Sequence, residues 1–169
     1  MPTVRTDRPA FLRTARDAPS EARVPVEVAL SIDPFEGYRR ARDGSPSVYL
    51  ETTGGQSGWG VLATDPTEYL RVDADDGPAL PTLADRLADE TLVRGGCDVP
   101  YPCGAFGWLS YDVARELEAL SGGAVADRSL PRLELAVYDR VATWEEPHDG
   151  ETTVRITACP RLDGFDSAD

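Results

Sequence analysis

Apolar and polar residues alternate over several short stretches of the chain. Val24, Val26, Val28 and Leu30 alternate with Pro25, Glu27 and Ala29, a period of two that predicts a strand with the valine side buried. Residues 47–53 and 58–64 show similar apolar runs on either side of the loop 54–57, which predicts a hairpin, and residues 68–73 predict a third strand. Strands therefore dominate the first half of the chain.

Later apolar residues predict another hairpin. Leu133, Leu135 and Val137 would share one face of its first strand, and residues 154–158 would form its second. The turn-rich segment 145–150 would be its tip.

Two segments carry helix signals. Asp33, Pro34 and Glu36 fit an N-cap, a first helical position and a capping-box carboxylate, which predicts a helix that ends near Gly44. Leu80, Leu83 and Leu87 recur at helical spacing and predict a second helix. Phe35 and Tyr38 would lie on the inner face of the first of these helices.

The segment 102–120 joins a glycine-containing strand to a charged amphipathic stretch. Gly104, Ala105 and Gly107 are small, so this strand predicts the close approach of another backbone or a large ring. Asp112 is placed as an N-cap of a helix whose apolar stripe is Val113, Leu117 and Leu120, with Arg115, Glu116 and Glu118 facing away from the core. Gly122 and Gly123 would end this helix.

These elements predict an α+β domain, with largely antiparallel sheet and flanking helices. Residues 1–23 are expected to form a mobile or loosely docked arm, 24–160 the domain, and 161–169 the start of an interdomain linker. The chain of 169 residues is long enough for one domain with a substantial core.

The charge composition narrows the class of protein. The chain has 30 acidic and 17 basic side chains, every basic one an arginine, for a formal net charge of −13. Self-repulsion of this size is tolerated best at high ionic strength, which indicates a cytoplasmic protein of a salt-loving organism; an acidic protein from a GC-rich genome is the alternative. Nucleic acid and anionic membranes are disfavoured as partners. The N-terminal residues lack the apolar run of a signal peptide.

Most of the individual candidate sites have structural explanations. The glycines at 54–60 lead into a strand rather than a helix, so they predict a hairpin and not a phosphate loop. His148 is expected to be a solvated loop residue, and the three cysteines buried or half-buried thiols. No acidic run has the spacing of a calcium loop. Glu51 and Trp59 could together bind a ligand with an amino group and a ring, or serve only as a hydrogen-bonding residue and a core residue.

Three segments taken together resemble one family. Tyr49–Thr52 resembles a leucine-leucine-glutamate-serine strand, residues 59–66 resemble a segment that ends in glycine-x-aspartate-proline, and 104–118 resembles GAxGYxxYDxxRxxE. These are motifs of component I of anthranilate synthase and aminodeoxychorismate synthase. Residues 33–39 and 130–139 resemble further parts of the same family in the same order.

The resemblance is confined to the N-terminal domain of that family. It implies that the larger domain, which binds chorismate and Mg²⁺ and carries the catalytic residues, has no counterpart in this chain, so that the chain holds no catalytic or metal-binding residue and is inactive alone. It also implies that this domain packs on the catalytic domain, contributes to a pocket for an aromatic amino acid effector, and works with a glutamine amidotransferase subunit that supplies ammonia.

The effector residues implied by the resemblance are Glu51, Thr52 and Trp59. Thr52 stands where the family has serine, Gly58 where it usually has arginine and Gly60 where it usually has serine. These departures favour aminodeoxychorismate synthase, of the 4-aminobenzoate and folate branch, with anthranilate synthase of the tryptophan branch as the alternative. An alternative of another class is a free-standing module that binds aromatic amino acids.

Overall fold

A computed structural model describes residues 1–121 and 129–165. Two antiparallel sheets with flanking helices confirm the predicted α+β class. The elements in chain order are β1 (Thr3–Val4), α1 (Arg8–Asp17), β2 (Val26–Ile32), α2 (Pro34–Ala41), β3 (Ser47–Leu50), β4 (Gly58–Thr64), β5 (Glu68–Val72), α3 (Ala79–Ala88), β6 (Gly104–Leu109), a 3₁₀ helix (Tyr111–Glu116), β7 (Leu133–Tyr138), β8 (Arg140–Glu146), β9 (Thr152–Ala158) and a short 3₁₀ helix (Leu162–Gly164).

The large sheet has six strands in the order β1-β2-β9-β8-β4-β3, and the small sheet has three in the order β5-β7-β6. The predicted pairing of 133–137 with 154–158 is wrong, because β7 lies in the small sheet and β9 pairs with β8 and β2. Only Asp139 separates β7 from β8, so the chain passes from one sheet to the other at this residue. The hairpin around 145–150 is formed by β8 and β9 instead.

The assignment of the buried side of β2 is also wrong. Glu27 and Ala29 are 4% and 8% exposed, whereas Val26, Val28 and Leu30 are only half-buried. Glu27 is buried because Arg155 of β9 reaches it from the neighbouring strand, with Nε 2.6 Å from Oε1 and Nη2 2.9 Å from Oε2. A carboxylate paired in this way can occupy a buried position that the alternation pattern assigns to apolar residues.

Two helix predictions have different outcomes. In α2, the Asp33 carboxylate accepts a hydrogen bond from the Glu36 N–H at 2.9 Å, as predicted, and the helix ends at Ala41. The segment 111–116 is a 3₁₀ helix with Ser110 at its N-cap, so the predicted N-cap at Asp112 is wrong.

The apolar stripe predicted for this 3₁₀ segment is only partly present. Val113 is buried, but Leu117 and Leu120 are exposed. Glu116 was expected to face away from the core, yet its carboxylate accepts hydrogen bonds from the N–H groups of Ala79 and Leu80 at 2.7 and 2.8 Å. Glu116 therefore caps the N-terminus of α3, where two backbone donors have no partner within the helix.

The close approach predicted for the glycine-containing strand occurs at Gly107. A Cβ there would overlap the carbonyl oxygen of Glu134 and crowd Leu135 Cα, both in the β7 backbone. Phe106 packs between the two sheets, in the cluster of Val61, Tyr138 and Val141. The close neighbour is thus part of the protein itself.

The terminal segments both contain regular structure. β1 pairs with β2, and Asp7 caps α1 by accepting a hydrogen bond from the Ala10 N–H at 2.8 Å. The mobility expected for residues 1–23, and the linker expected at 161–169, stay predictions. Gly122 and Gly123, expected to end a helix, and residues 166–169 lie outside the described residues. No helix in the described part is long and apolar enough to span a membrane.

We expect the stability of this acidic chain to depend on salt. Raising KCl from about 0.1 M to about 1 M shortens the Debye length from about 10 Å to about 3 Å. The chain has a net charge of −13, so weaker repulsion between its acidic side chains should then raise the melting temperature by about 5 °C or more. Changing the exposed Asp75, Asp85 and Asp89 together to asparagine should reduce this dependence. A melting temperature that does not respond to KCl would contradict the assignment to a salt-loving organism.

Candidate functional site

Four aromatic rings form a cluster on one face of the large sheet, and we call them the aromatic cluster: Phe35, Tyr38, Tyr49 and Trp144. Tyr49 lies at the centre, with its ring centroid 5.3–5.5 Å from those of the other three. Helix α2 supplies two of these rings, while β3 and β8 supply one each. The cluster therefore fixes α2 on the sheet beside the edge strand β3.

Trp144 is fully buried and lies flat against the backbone of β4. A Cβ added at Gly60 would overlap the indole, since it would meet Cε2, Cζ2 and Nε1. Gly60 and Trp144 are also cross-strand partners in the β4–β8 pairing. The indole therefore leaves no space for a side chain at position 60, which explains why glycine stands where the resembling family usually has serine.

Glu146 forms hydrogen bonds at the polar edge of this cluster. Its Oε1 accepts a hydrogen bond from Trp144 Nε1 at 2.6 Å, and its Oε2 lies 2.8 Å from His148 Nδ1 and 3.2 Å from the His148 backbone N. The expectation that His148 is solvated is wrong, because its side chain is 16% exposed. Burial raises the pKa of Glu146, but the hydrogen bonds from His148 and Trp144 outweigh it and leave the pKa below its usual value.

This lowered pKa predicts that Glu146 stabilises the fold at neutral pH and not in acid. Because the carboxylate form is favoured by folding, its contribution is present above the unfolded-state pKa of about 4.3 and is lost as the pH falls through the folded-state value. Glu146→Gln should lower the free energy of unfolding by about 1–2 kcal/mol at neutral pH, measured by urea denaturation at constant KCl. The difference from the unmodified protein should shrink in acid. A difference that stays constant with pH would contradict the assignment.

Glu51 lies at the end of β3, on the same side of the sheet as the aromatic cluster. The Tyr49 hydroxyl donates a hydrogen bond to Glu51 Oε2 at 2.8 Å. Burial, followed by this hydrogen bond and the charge of Glu51, raises the pKa of Tyr49 well above its usual value. The Glu51 side chain is exposed and its second oxygen has acceptor capacity for a donor outside the chain.

Thr52 lies beside Glu51 and covers Gly58. A Cβ at Gly58 would come within 2.5 Å of the Thr52 hydroxyl oxygen and 3.2 Å of its Cβ. Gly58 precedes Gly60 by two residues, so a side chain at either position would lie on the face that carries the aromatic cluster. A side chain at position 58 would therefore require the Thr52 side chain to move; the closest contacts are to its hydroxyl oxygen and Cβ, atoms that serine also has.

Trp59 lies on the opposite face of the sheet from Glu51. It pairs with Glu145 across the β4–β8 ladder, while the flanking Gly58 and Gly60 pair with Glu146 and Trp144. Successive side chains of a strand point to opposite faces, which separates Trp59 from the aromatic cluster. The structure thus brings Glu51 and Thr52 together, and gives them Tyr49 and Trp144 as aromatic neighbours.

Sequence reasoning did not identify Tyr49, Trp144, Glu146 or His148 as parts of this site. One signal was available, because Ala142, Trp144 and Glu146 alternate along one strand and so must share a face. The neighbour of that strand could not be identified, since the pairing of β8 with β4 joins residues about eighty positions apart. Among the described residues, no group of three or more His, Cys, Asp or Glu side chains could hold a metal ion.

Comparison with known proteins gives two related sequences. "Anthranilate synthase component 1 1" of Haloarcula marismortui is 58% identical over 168 residues, which cover 99% of this chain and 34% of that protein. "Anthranilate synthase component 1 3" of the same organism is 54% identical over 168 residues, which cover 94% of this chain and 33% of that protein. The chain therefore spans about a third of the length of the curated relatives it matches. No family model matches the chain, and no solved structure matches it.

Proposed function

The chain is related to component 1 of anthranilate synthase over about a third of that protein's length, and from this premise we propose that it is a non-catalytic portion of such an enzyme. In this proposal it contributes one wall of a pocket for an aromatic amino acid effector. The face that carries Glu51, Thr52 and the aromatic cluster is that wall. The whole enzyme would convert chorismate and ammonia to anthranilate in the cytoplasm.

In this proposal the chemistry belongs to the larger domain of the enzyme, which would bind chorismate and Mg²⁺ and carry the catalytic residues. A glutamine amidotransferase subunit would supply the ammonia. Mg²⁺ would polarise the substrate there as a Lewis acid. The residues of the aromatic cluster offer hydrogen bonds and ring surfaces, which suit binding rather than catalysis.

The names of the relatives favour the anthranilate branch over the aminodeoxychorismate branch that the sequence departures favoured. One of those departures has a local packing cause, because Gly60 makes room for the Trp144 indole. That departure therefore carries no information about the product. Combining this chain with the catalytic domain encoded in its own genome, and identifying the product formed from chorismate and ammonia, tests the branch: anthranilate supports it, and 4-amino-4-deoxychorismate contradicts it.

The observation that carries the effector proposal is the position of the Glu51 carboxylate. The Tyr49 hydroxyl holds it at 2.8 Å, at the exposed end of an edge strand and beside four packed rings. An exposed carboxylate can pair with the ammonium group of an amino acid, and neighbouring rings provide apolar surface for stacking with its aromatic part. The Thr52 hydroxyl adds a second polar group. A free aromatic amino acid matches this combination.

Calorimetric titration with L-tryptophan tests the proposal. We expect binding to the chain joined to the remaining two-thirds of the relative, with Glu51→Gln weakening it about tenfold or more because the charge-assisted hydrogen bond is lost. Glu145→Gln is the matched control, since it neutralises an exposed carboxylate on the opposite face, across from Trp59. It should leave the affinity unchanged.

Three outcomes would contradict this assignment. Absence of binding to the joined protein would remove the effector proposal. Loss of binding in Glu145→Gln but not in Glu51→Gln would move the site to the Trp59 face. Equal binding by the isolated chain and the joined protein would instead support the alternative of a free-standing module that binds aromatic amino acids.

A further inference from the structure

A second cavity lies on the same face of the large sheet, on the other side of α2 from the aromatic cluster. Its volume is about 290 Å³, and its floor is made by apolar side chains of β2, β4 and β9: Leu30, Ile32, Leu62, Val154 and Ile156. Helix α2 forms one wall, where Gly37 contributes no side chain. The cavity is open to solvent, since Ile156 is 37% exposed.

One charged residue lines this apolar cavity, the exposed Arg40 of α2. Within residues 1–121 and 129–165, its guanidinium forms no hydrogen bond and no ion pair. The preceding Arg39 differs, since its Nη1 lies 2.7 Å from Glu36 Oε1. The guanidinium of Arg40 is thus available to a ligand that enters this apolar cavity. Such an arrangement suits a ligand with an apolar body and one carboxylate.

We propose that this cavity binds a small apolar monocarboxylate, with its ring or acyl chain on the β2–β9 floor and its carboxylate on Arg40. The cavity volume of about 290 Å³ lies near the lower end of the range of about 300–1,000 Å³ that is typical of small-molecule sites, so it suits a small ligand with a single ring or a short acyl chain. Phenylacetate has this size and chemistry. Among the described residues that line the site, none has a carboxylate that could receive an ammonium group, so the site favours a simple acid over an amino acid. It is independent of the effector site proposed above.

Methyl-resolved NMR titration of the chain with phenylacetate tests the proposal, because the floor residues carry methyl groups. Shifts should be confined to the five floor side chains. The neutral isostere phenylacetamide should bind about fivefold more weakly, and Arg40→Gln should weaken phenylacetate to the same extent, as expected for one exposed charge-assisted hydrogen bond. Arg39→Gln is the matched control, because it removes a neighbouring charge that does not line the cavity, and it should leave the affinity unchanged.

Ala41→Leu provides a second test that does not involve charge. Ala41 lines the cavity from the last position of α2, where leucine is compatible with the helix, and the larger side chain should occupy part of the space and reduce binding about tenfold. Equal binding by Arg40→Gln and the unmodified chain would overturn the proposal. So would phenylacetate shifts at the aromatic cluster rather than at the floor, or the absence of any shift. Tryptophan binding is measured separately, so failure here leaves the effector proposal untouched.

Discussion

Replacing Gly60 by serine, the residue usual in the resembling family, should lower the free energy of unfolding by about 3 kcal/mol. The new Cβ would overlap three indole atoms of Trp144, which is 0% exposed and has no solvent-facing space into which to move. Relief requires either displacement of β4 from β8 or loss of the contact between Trp144 and Tyr49. Urea denaturation at constant KCl measures the change.

The same change should be much less costly once the indole is absent. Trp144→Leu is itself destabilising, because it leaves a cavity beside Tyr49 and removes a hydrogen bond to Glu146. In the double variant the serine has space, so the combined loss should be smaller than the sum of the single losses by about 1 kcal/mol or more. If the losses are additive, overlap with the Trp144 indole is not the reason that Gly60→Ser is destabilising. Gly37→Ala is a useful control, since its Cβ would make ordinary contacts of 3.8 Å with Ile32.

Replacing Glu27 by methionine should lower the free energy of unfolding by about 3–5 kcal/mol. Glu27 is 4% exposed and pairs with Arg155 through two hydrogen bonds, while Arg5 approaches to 3.7 Å. Removing the carboxylate takes away the buried counterion of the Arg155 side chain, which is 16% exposed, and leaves this guanidinium paired only with the exposed Asp98. The large effect comes from this loss of buried compensation rather than from the value of the pair itself.

Two further variants separate these contributions. Asp98 also pairs with Arg155 but its side chain is 79% exposed, so Asp98→Asn should cost less than about 1 kcal/mol. The double variant Glu27→Met with Arg155→Met should recover most of the loss, because it replaces a buried ion pair by apolar groups of similar volume. If the double variant is as unstable as Glu27→Met alone, uncompensated burial of Arg155 is not the cause.

Local signals predicted the elements that depend on neighbours in sequence. Asp33, Pro34 and Glu36 define the start of α2, because capping joins groups three residues apart. The two strands β3 and β4 follow from their apolar runs and the loop between them, because hairpin pairing closes over a short distance. The close approach at Gly107 followed from the small size of Gly104, Ala105 and Gly107.

Predictions failed where distant residues compete for the same position. Glu27 is buried because Arg155, on a strand more than one hundred residues away in sequence, neutralises it. Glu116 faces inward because the N-terminus of α3 offers two unpaired N–H groups. The passage of the chain between sheets at Asp139 had no signal, since β7 and β8 have similar apolar alternation.

The candidate site was likewise predicted in part from the sequence and decided in part by contacts between distant residues. Resemblance to a family indicated Glu51, Thr52 and Trp59, and their strands were predicted from pattern. The register then placed Trp59 on the opposite face, and supplied Tyr49 and Trp144 as the rings beside Glu51. A shift of one residue in strand pairing would reverse these faces, so no inference from spacing alone can assign them.

The sequence by itself determined the α+β class, the acidic surface, the hairpin of β3 with β4, the start of α2 and the resemblance to component I, because each follows from composition, short-range spacing or motif. Only the tertiary structure decided which strands share a sheet, which faces are buried, and why glycine stands at position 60 where the resembling family has serine. Those features depend on contacts between residues far apart in sequence. The contact of the Trp144 indole with the backbone at Gly60 is an example, because close packing there determines which residue position 60 can hold.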